Sequence, residues 1–267
     1  MNMNVFELFD NIGGIFFVFL NVVTPVFILV LIGYFIGPRL QVQARSLSRP
    51  AYFVFVPAFV FNIISKTQIE ADLANFGLPL IEFRLGDASR TPATIYFLAI
   101  VFISFVICVG VASWARSGGM TAVLSVFKTP ALLALIPALA FNMSGVEVPI
   151  FLSRLSGLLG QAMIPVMLIT LGVQLGEIEK IKINFNVFAA STVRLIGGPV
   201  LALLLVPFFG LEGMERSTGI LQAAMPAAVL VSIIALEYKL CPEFVTTTVL
   251  FSTLYSILSL TIILTLI

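Results

Sequence analysis

Long apolar runs, separated by short polar stretches, set the pattern of this chain. They occupy residues 15–37, 46–65, 93–115, 130–142, 157–176, 185–209, 218–238 and 245–267. A helix needs about 20 apolar residues to cross the hydrocarbon core of a bilayer. The pattern therefore predicts eight crossings, with the short run at 130–142 borrowing residues from 123–128. A ninth apolar piece, residues 74–80, is too short to span and reads as a half-helix or re-entrant segment. The connecting stretches are short, with no soluble domain, linker or low-complexity tract. The predicted fold is all-α and integral to the membrane, a single membrane domain over residues 1–267.

Composition agrees and narrows the chemistry. Sixty per cent of residues are apolar and 10% charged, where a soluble domain carries about a quarter charged. So few charges could not cover a water-soluble surface of this size. Histidine is absent, which excludes His-dependent triads, His-ligated metals and haem, and a histidine proton switch. Cys108 and Cys241 lie in or beside apolar runs, form no C-x-x-C, and read as inert thiols. A net charge of +1 gives no reason to expect a nucleic-acid partner. An intramembrane enzyme without histidine would need paired buried carboxylates or a Ser–Lys pair. No run contains either, so no catalytic residue, metal or cofactor is expected.

Charge placement orients the spans. The N-terminal flank carries Glu7 and Asp10 with no positive residue, and the run that follows is too long for a signal peptide. Arg39, Arg45, Arg49, Arg116, Lys128, Lys180, Lys182 and Lys239 fall on one side. Lys66, Arg84, Arg90, Arg154 and Arg216 fall on the other, with most of the acids. The positive-inside rule places the first group in the cytoplasm and the N-terminus outside, in a multi-pass plasma-membrane protein.

Two segments share an amide four residues before a proline: Asn75-Phe76-Gly77-Leu78-Pro79 and Gln222-Ala223-Ala224-Met225-Pro226. A second pair is Val54-Phe55-Val56-Pro57 and Ala162-Met163-Ile164-Pro165. The number of spans between paired elements makes the two halves opposite in orientation. Proline within a helix removes one backbone bond and frees a carbonyl one turn earlier. In lipid such a break persists only where protein or a water-filled cavity satisfies the freed groups. Broken helices in corresponding halves of an inverted repeat point to a transporter's midplane site, with half-helix N-termini directed at an anion. The competing reading is that prolines simply kink transmembrane helices. It applies to Pro25, Pro57, Pro165 and Pro199, which read as structural kinks.

These motifs together resemble the auxin efflux carrier family of membrane transporters, in its short-loop bacterial form. The resemblance runs from Thr24-Pro25 and Gly33-Tyr34 through Tyr52-x-x-x-x-Pro57-Ala58 with Phe61, to Asn75-Phe76-Gly77-Leu78-Pro79-Leu80. It continues with Ala162-x-x-Pro165-x-x-Leu168-x-x-x-Gly172-x-x-Leu175, Arg194-Leu195-Ile196-x-x-Pro199 and Ala224-Met225-Pro226-Ala227-Ala228. It implies inverted repeats of five spans crossing at two broken helices, elevator-type alternating access, a possible homodimer, and small organic anions such as carboxylates as substrate. It places the crossover residues on Asn75, Gly77 and Pro79 and on Gln222, Met225 and Pro226. Here the first repeat, residues 13–116, is incomplete and the second covers 121–267. Only residues 66–73 stand where the family pattern has a third span and half of a fourth, a shortfall on the order of 45–50 residues. The expected fold is thus eight full spans plus one half-helix.

Arg194 lies about nine residues inside its run, where an arginine is costly and a site residue by default. It would bind an anionic substrate, or hold carbonyls freed at Pro199 or in a neighbouring helix. Asn62, Gln161 and Gln174 read as interhelical hydrogen-bonding groups. Glu82, Arg84, Asp87 and Arg90 read as a solvated helix end with i,i+3 pairs, and Trp114 with Arg116 as an interfacial anchor. Few acids lie inside any run, so a buried carboxylate proton relay has little support. The sequence reads as a secondary transporter of small organic anions. The alternatives are a bile acid:sodium symporter-like transporter and a truncated protein of the same ancestry that does not transport.

Overall fold

The computed structural model describes residues 23–65, 77–119 and 126–266. Among these residues every regular element is helical. In chain order they are α1 (Val23–Arg39), α2 (Ala44–Ile64), α3 (Gly77–Leu85), α4 (Arg90–Ser117), α5 (Pro130–Ser144), α6 (Ile150–Glu177), α7 (Phe185–Phe209), α8 (Gly213–Ala223), α9 (Val229–Tyr238) and α10 (Pro242–Leu266).

Among the described residues, five helices are long and apolar enough to cross a bilayer: α2, α4, α6, α7 and α10, the second counted with the short 3-10 turn before it. α1 and α5 are apolar but shorter. The run at 218–238 forms no continuous span; it divides into α8 and α9. The short piece at 74–80 continues as α3 to Leu85, while Asn75 and the N-terminal acids lie outside the described residues.

Many large apolar side chains stay outside the protein interior, in stripes. On α4 the stripe is Ile100, Ile103, Ile107, Val111 and Trp114, and on α5 it is Leu133, Ile136, Leu139 and Met143. This three-to-four spacing puts one helix face outward. A water-soluble protein rarely exposes apolar area so continuously; lipid covers it at no cost.

Two buried clusters divide the helices. The first joins Tyr52, Val56, Phe59 and Ile63 of α2 to Phe105 and Val109 of α4, Met163 and Met167 of α6, and Ile233 and Ile234 of α9. The second joins Val23, Leu80, Ile81, Ala93, Leu221, Ala224, Leu260 and Leu264, from α1, α3, α4, the end of α8 and α10. The two halves of the broken helix thus belong to different clusters. A seam of Val30, Leu168, Leu171, Leu175 and Val249 ties α1, α6 and α10 together.

At that seam α1 and α6 touch backbone to backbone. Gly33 on one helix meets Gly172 on the other, and Gly37 lies against the Val173 side chain. A Cβ on Gly172 would run into the Val30 carbonyl oxygen and lie 2.9 Å from Gly33 Cα. A Cβ on Gly176 would lie 3.1 Å from the Tyr34 carbonyl oxygen. Small residues four apart let helices approach closely in a membrane, where dispersion replaces the hydrophobic drive. α6 also caps α2, because the Ala44 N–H donates to Glu177 Oε1 at 2.7 Å. Asn184 caps α7, accepting from the Val187 N–H at 3.0 Å.

The prolines divide into two behaviours. Pro57 and Pro199 each follow a widened i→i+5 turn, Ala51–Phe55 and Val193–Gly197. A proline ring collides with the carbonyl four residues earlier. That residue is Phe53 for Pro57 and Leu195 for Pro199, and both fall inside the widened turns. Pro165 instead sits within α6, which is α-helical throughout, and Pro25 lies in the first described turn of α1.

Gly172→Ala is expected to destabilise the protein by about 1–3 kcal/mol through overpacking. Gly110→Ala, whose Cβ would meet only Val126 Cγ2 at 3.7 Å, is expected to be neutral or stabilising through helix propensity. Reversible unfolding in mixed detergent micelles measures both.

Candidate functional site

The site is built around the gap between α8 and α9. α8 stops at Ala223, residues 225–228 form no regular secondary structure, and α9 starts at Val229. Pro226 supplies no N–H, and the chain before it is disfavoured from staying helical. Such a break leaves carbonyls unpaired at the end of α8 and N–H groups unpaired at the start of α9.

Two side chains from other helices answer this, and a third, on α8 itself, ties its end to α4. Arg194, in the widened turn of α7, donates from Nη1 to the Ala223 carbonyl at 3.1 Å. Its positive charge sits at the negative end of the α8 dipole. The Ser252 hydroxyl of α10 accepts from the Ala227 N–H at 3.2 Å. Gln222, at the end of α8, donates from Nε2 to the Ala93 carbonyl in the first turn of α4 at 3.4 Å. Gly198 makes room for the arginine: a Cβ there would run into the Ala223 carbonyl oxygen and lie 3.2 Å from Arg194 Nη1.

α9 begins differently. Its N-cap is Ala228, which offers no side-chain acceptor. Ser232 turns back on its own helix, donating to the Val229 carbonyl at 2.8 Å. The start of α9 therefore presents N–H groups without a side-chain cap, the arrangement that suits an anion.

α3 packs against the break from the other half of the chain. Leu80 and Ile81 share a buried cluster with Leu221, Ala224 and the partly buried Met225. Gly77 and Pro79 fall in the first turn of α3, next to these residues in sequence. Leu80 and Ile81, just after the first amide-to-proline segment, thus pack against the second; Asn75 is outside the described residues.

Of the residues singled out in sequence, Arg194 takes the tie to a neighbouring helix rather than to the vicinity of Pro199. Gln174 of α6 accepts from Thr246 Oγ1 at 2.8 Å. Asn62 is buried with Oδ1 unpaired, and Gln161 is exposed. Arg90 pairs with Glu82 and lies 3.7 Å from Asp87, and Arg84 donates to the Leu264 carbonyl at 3.0 Å. Ser252, Gly198 and Ala93 went unnoticed in sequence. The signal for Ser252 was available: buried Thr246, Thr247, Ser252 and Ser256 recur down α10, a small-polar stripe on an otherwise apolar helix.

Comparison with known proteins adds three findings. The family described as membrane transport protein matches residues 115–264. An uncharacterized transporter of Methanothermobacter thermautotrophicus is 28% identical over 131 residues, covering 49% of this chain and 43% of the relative. An uncharacterized transporter of Methanocaldococcus jannaschii is 21% identical over 297 positions, covering 90% of this chain and 96% of the relative. Those 297 positions exceed the 267 residues of the chain. The second relative therefore holds sequence within the matched region that this chain lacks.

Removing one partner of a buried hydrogen bond costs about 1–3 kcal/mol. Ser252→Ala is expected to lower unfolding stability by that order. Ser259→Ala, which breaks only a 3.4 Å bond within α10 to the Ser256 carbonyl, is expected to cost clearly less in the same detergent-unfolding measurement.

Proposed function

Because the chain belongs to the auxin efflux carrier-like membrane transport family, we propose that it is a secondary transporter of small organic anions working by elevator-type alternating access. The observation that carries this reading is the uncapped start of α9 opposite a carbonyl end held by Arg194. A carboxylate is small enough to accept N–H groups at a half-helix end and needs no buried cation of its own. In this reading Gln222, Met225 and Pro226 line the substrate site with Asn75, Gly77 and Pro79, and Arg194 holds its geometry. The separate burial of α8 and α9 in two clusters supports a division into a moving and a supporting part.

The shorter internal length relative to the second relative favours one competing reading, a protein of the same ancestry that no longer transports. Flux decides. The full chain, reconstituted in lipid vesicles, is expected to give saturable uptake of at least one labelled mono- or dicarboxylate. Gln222→Leu is expected to lower kcat/KM about 10-fold or more, the loss of roughly one hydrogen bond to a charged group. Absence of saturable flux across the panel would remove the transport reading. Strict dependence on Na⁺ would move the assignment to a bile acid:sodium symporter-like protein.

A further inference from the structure

A second site lies away from the helix break, at the arginine- and lysine-rich ends of the helices. There a cleft of about 230 Å³ opens between α2, the end of α4, the start of α5 and the end of α9. Tyr52, Phe53, Arg116, Lys128, Thr129 and Glu237 are among the residues that line it.

Arg116 and Lys128 are exposed, and neither forms an ion pair among the described residues. The carboxylate on the wall, Glu237, lies 3.8 Å from Arg49, and its buried Oε2 accepts no hydrogen bond. Thr129 is the N-cap of the 15-residue α5, yet it does not cap it. Its hydroxyl donates instead to the Val126 carbonyl at 2.7 Å. The first-turn N–H groups of α5 are left without a side-chain acceptor beside two cations, an anion-favouring arrangement. Independently, the Tyr52 side chain is only 3% exposed, and its hydroxyl, beside Tyr238 and Glu237, makes no well-formed hydrogen bond. A buried hydroxyl that lines a cleft and lacks a partner costs free energy unless something in the cleft completes it.

The surroundings select the source of the anion. Trp114, two residues before Arg116, is 62% exposed, and Phe127, next to Lys128, is 68% exposed. Phe53, on the cleft wall, is also largely exposed. An exposed tryptophan at a helix end, here Trp114, marks the level of the lipid headgroups, and basic pockets between transmembrane helices hold anionic headgroups there. We propose that this cleft binds the phosphate of an anionic phospholipid, with Arg116 and Lys128 as counter-charges, the Tyr52 hydroxyl as a donor, and Trp114 and Phe127 against the acyl region. The inference is independent of the transported substrate.

Native mass spectrometry of the detergent-purified full chain tests this, comparing retention of phosphatidylglycerol with phosphatidylcholine. Wild type is expected to retain phosphatidylglycerol preferentially. Each cation contributes about 5-fold at the headgroup level, so Arg116→Gln/Lys128→Gln is expected to cut that preference about 25-fold. Tyr52→Phe, which keeps the ring and its packing, is expected to cut it several-fold. Arg154→Gln, an exposed arginine near the opposite end of α6, is expected to leave it intact. An undiminished preference in both cleft variants, or an equal loss in Arg154→Gln, would overturn the proposal. Displacement of the lipid by excess inorganic phosphate would overturn it too, assigning the cleft to a soluble phosphate.

Discussion

The arrangement depends on how a broken helix keeps its backbone satisfied in a medium without water. Each unpaired N–H or C=O in hydrocarbon costs several kcal/mol. The end of α8 escapes that cost through the Arg194 guanidinium on the Ala223 carbonyl, and the strand after it through the Ser252 hydroxyl on the Ala227 N–H. Arginine suits the first task. Its guanidinium stays charged and planar and carries several donors, so one side chain from α7 serves a carbonyl end and the local dipole together. The start of α9 receives no such help from a side chain. The break is therefore asymmetric: closed by protein at its carbonyl end and open at its N–H end.

That asymmetry links packing to function. The arginine reaches α8 only because Gly198 carries no side chain and because the turn around it is widened before Pro199. Widened turns of this kind recur at functional positions in helices. Elsewhere the opposite device operates. The crossing of α1 and α6 at Gly33, Gly172 and Gly176 brings two intact helices into backbone contact, which suits a fixed seam. One region of the fold is held by close dispersion contact, and another by a few directed hydrogen bonds that leave the start of α9 without a side-chain cap.

Much of this was legible in the sequence. The apolar runs located the helices to within a few residues, as at 185–209, which is α7. The shared amide-to-proline spacing located the break between α8 and α9. Arg194 stood out because an arginine in an apolar run demands a partner. Other features were opaque for a physical reason. The run at 218–238 is long enough to span, so length alone argued for a continuous helix; the interruption depends on Pro226 finding external partners. The prolines look alike in sequence, yet Pro57 and Pro199 follow widened turns while Pro165 does not. Local sequence does not encode which neighbouring helix absorbs the displaced carbonyl.

By itself, the sequence determined the solvent, the helical class, the absence of histidine chemistry and the positions where a helix is weak. These follow from composition and from spacing along one chain. Only the tertiary structure decided which groups meet. Arg194 and Ala223 are 29 residues apart, and Gln222 and Ala93 are 129 apart. Gly33 meets Gly172 across more than half of the chain. Contacts between distant residues depend on how helices cross, and crossing depends on small residues and widened turns acting together in three dimensions. A hydrophobic pattern marks which face of a helix is buried, but it leaves open what that face is buried against.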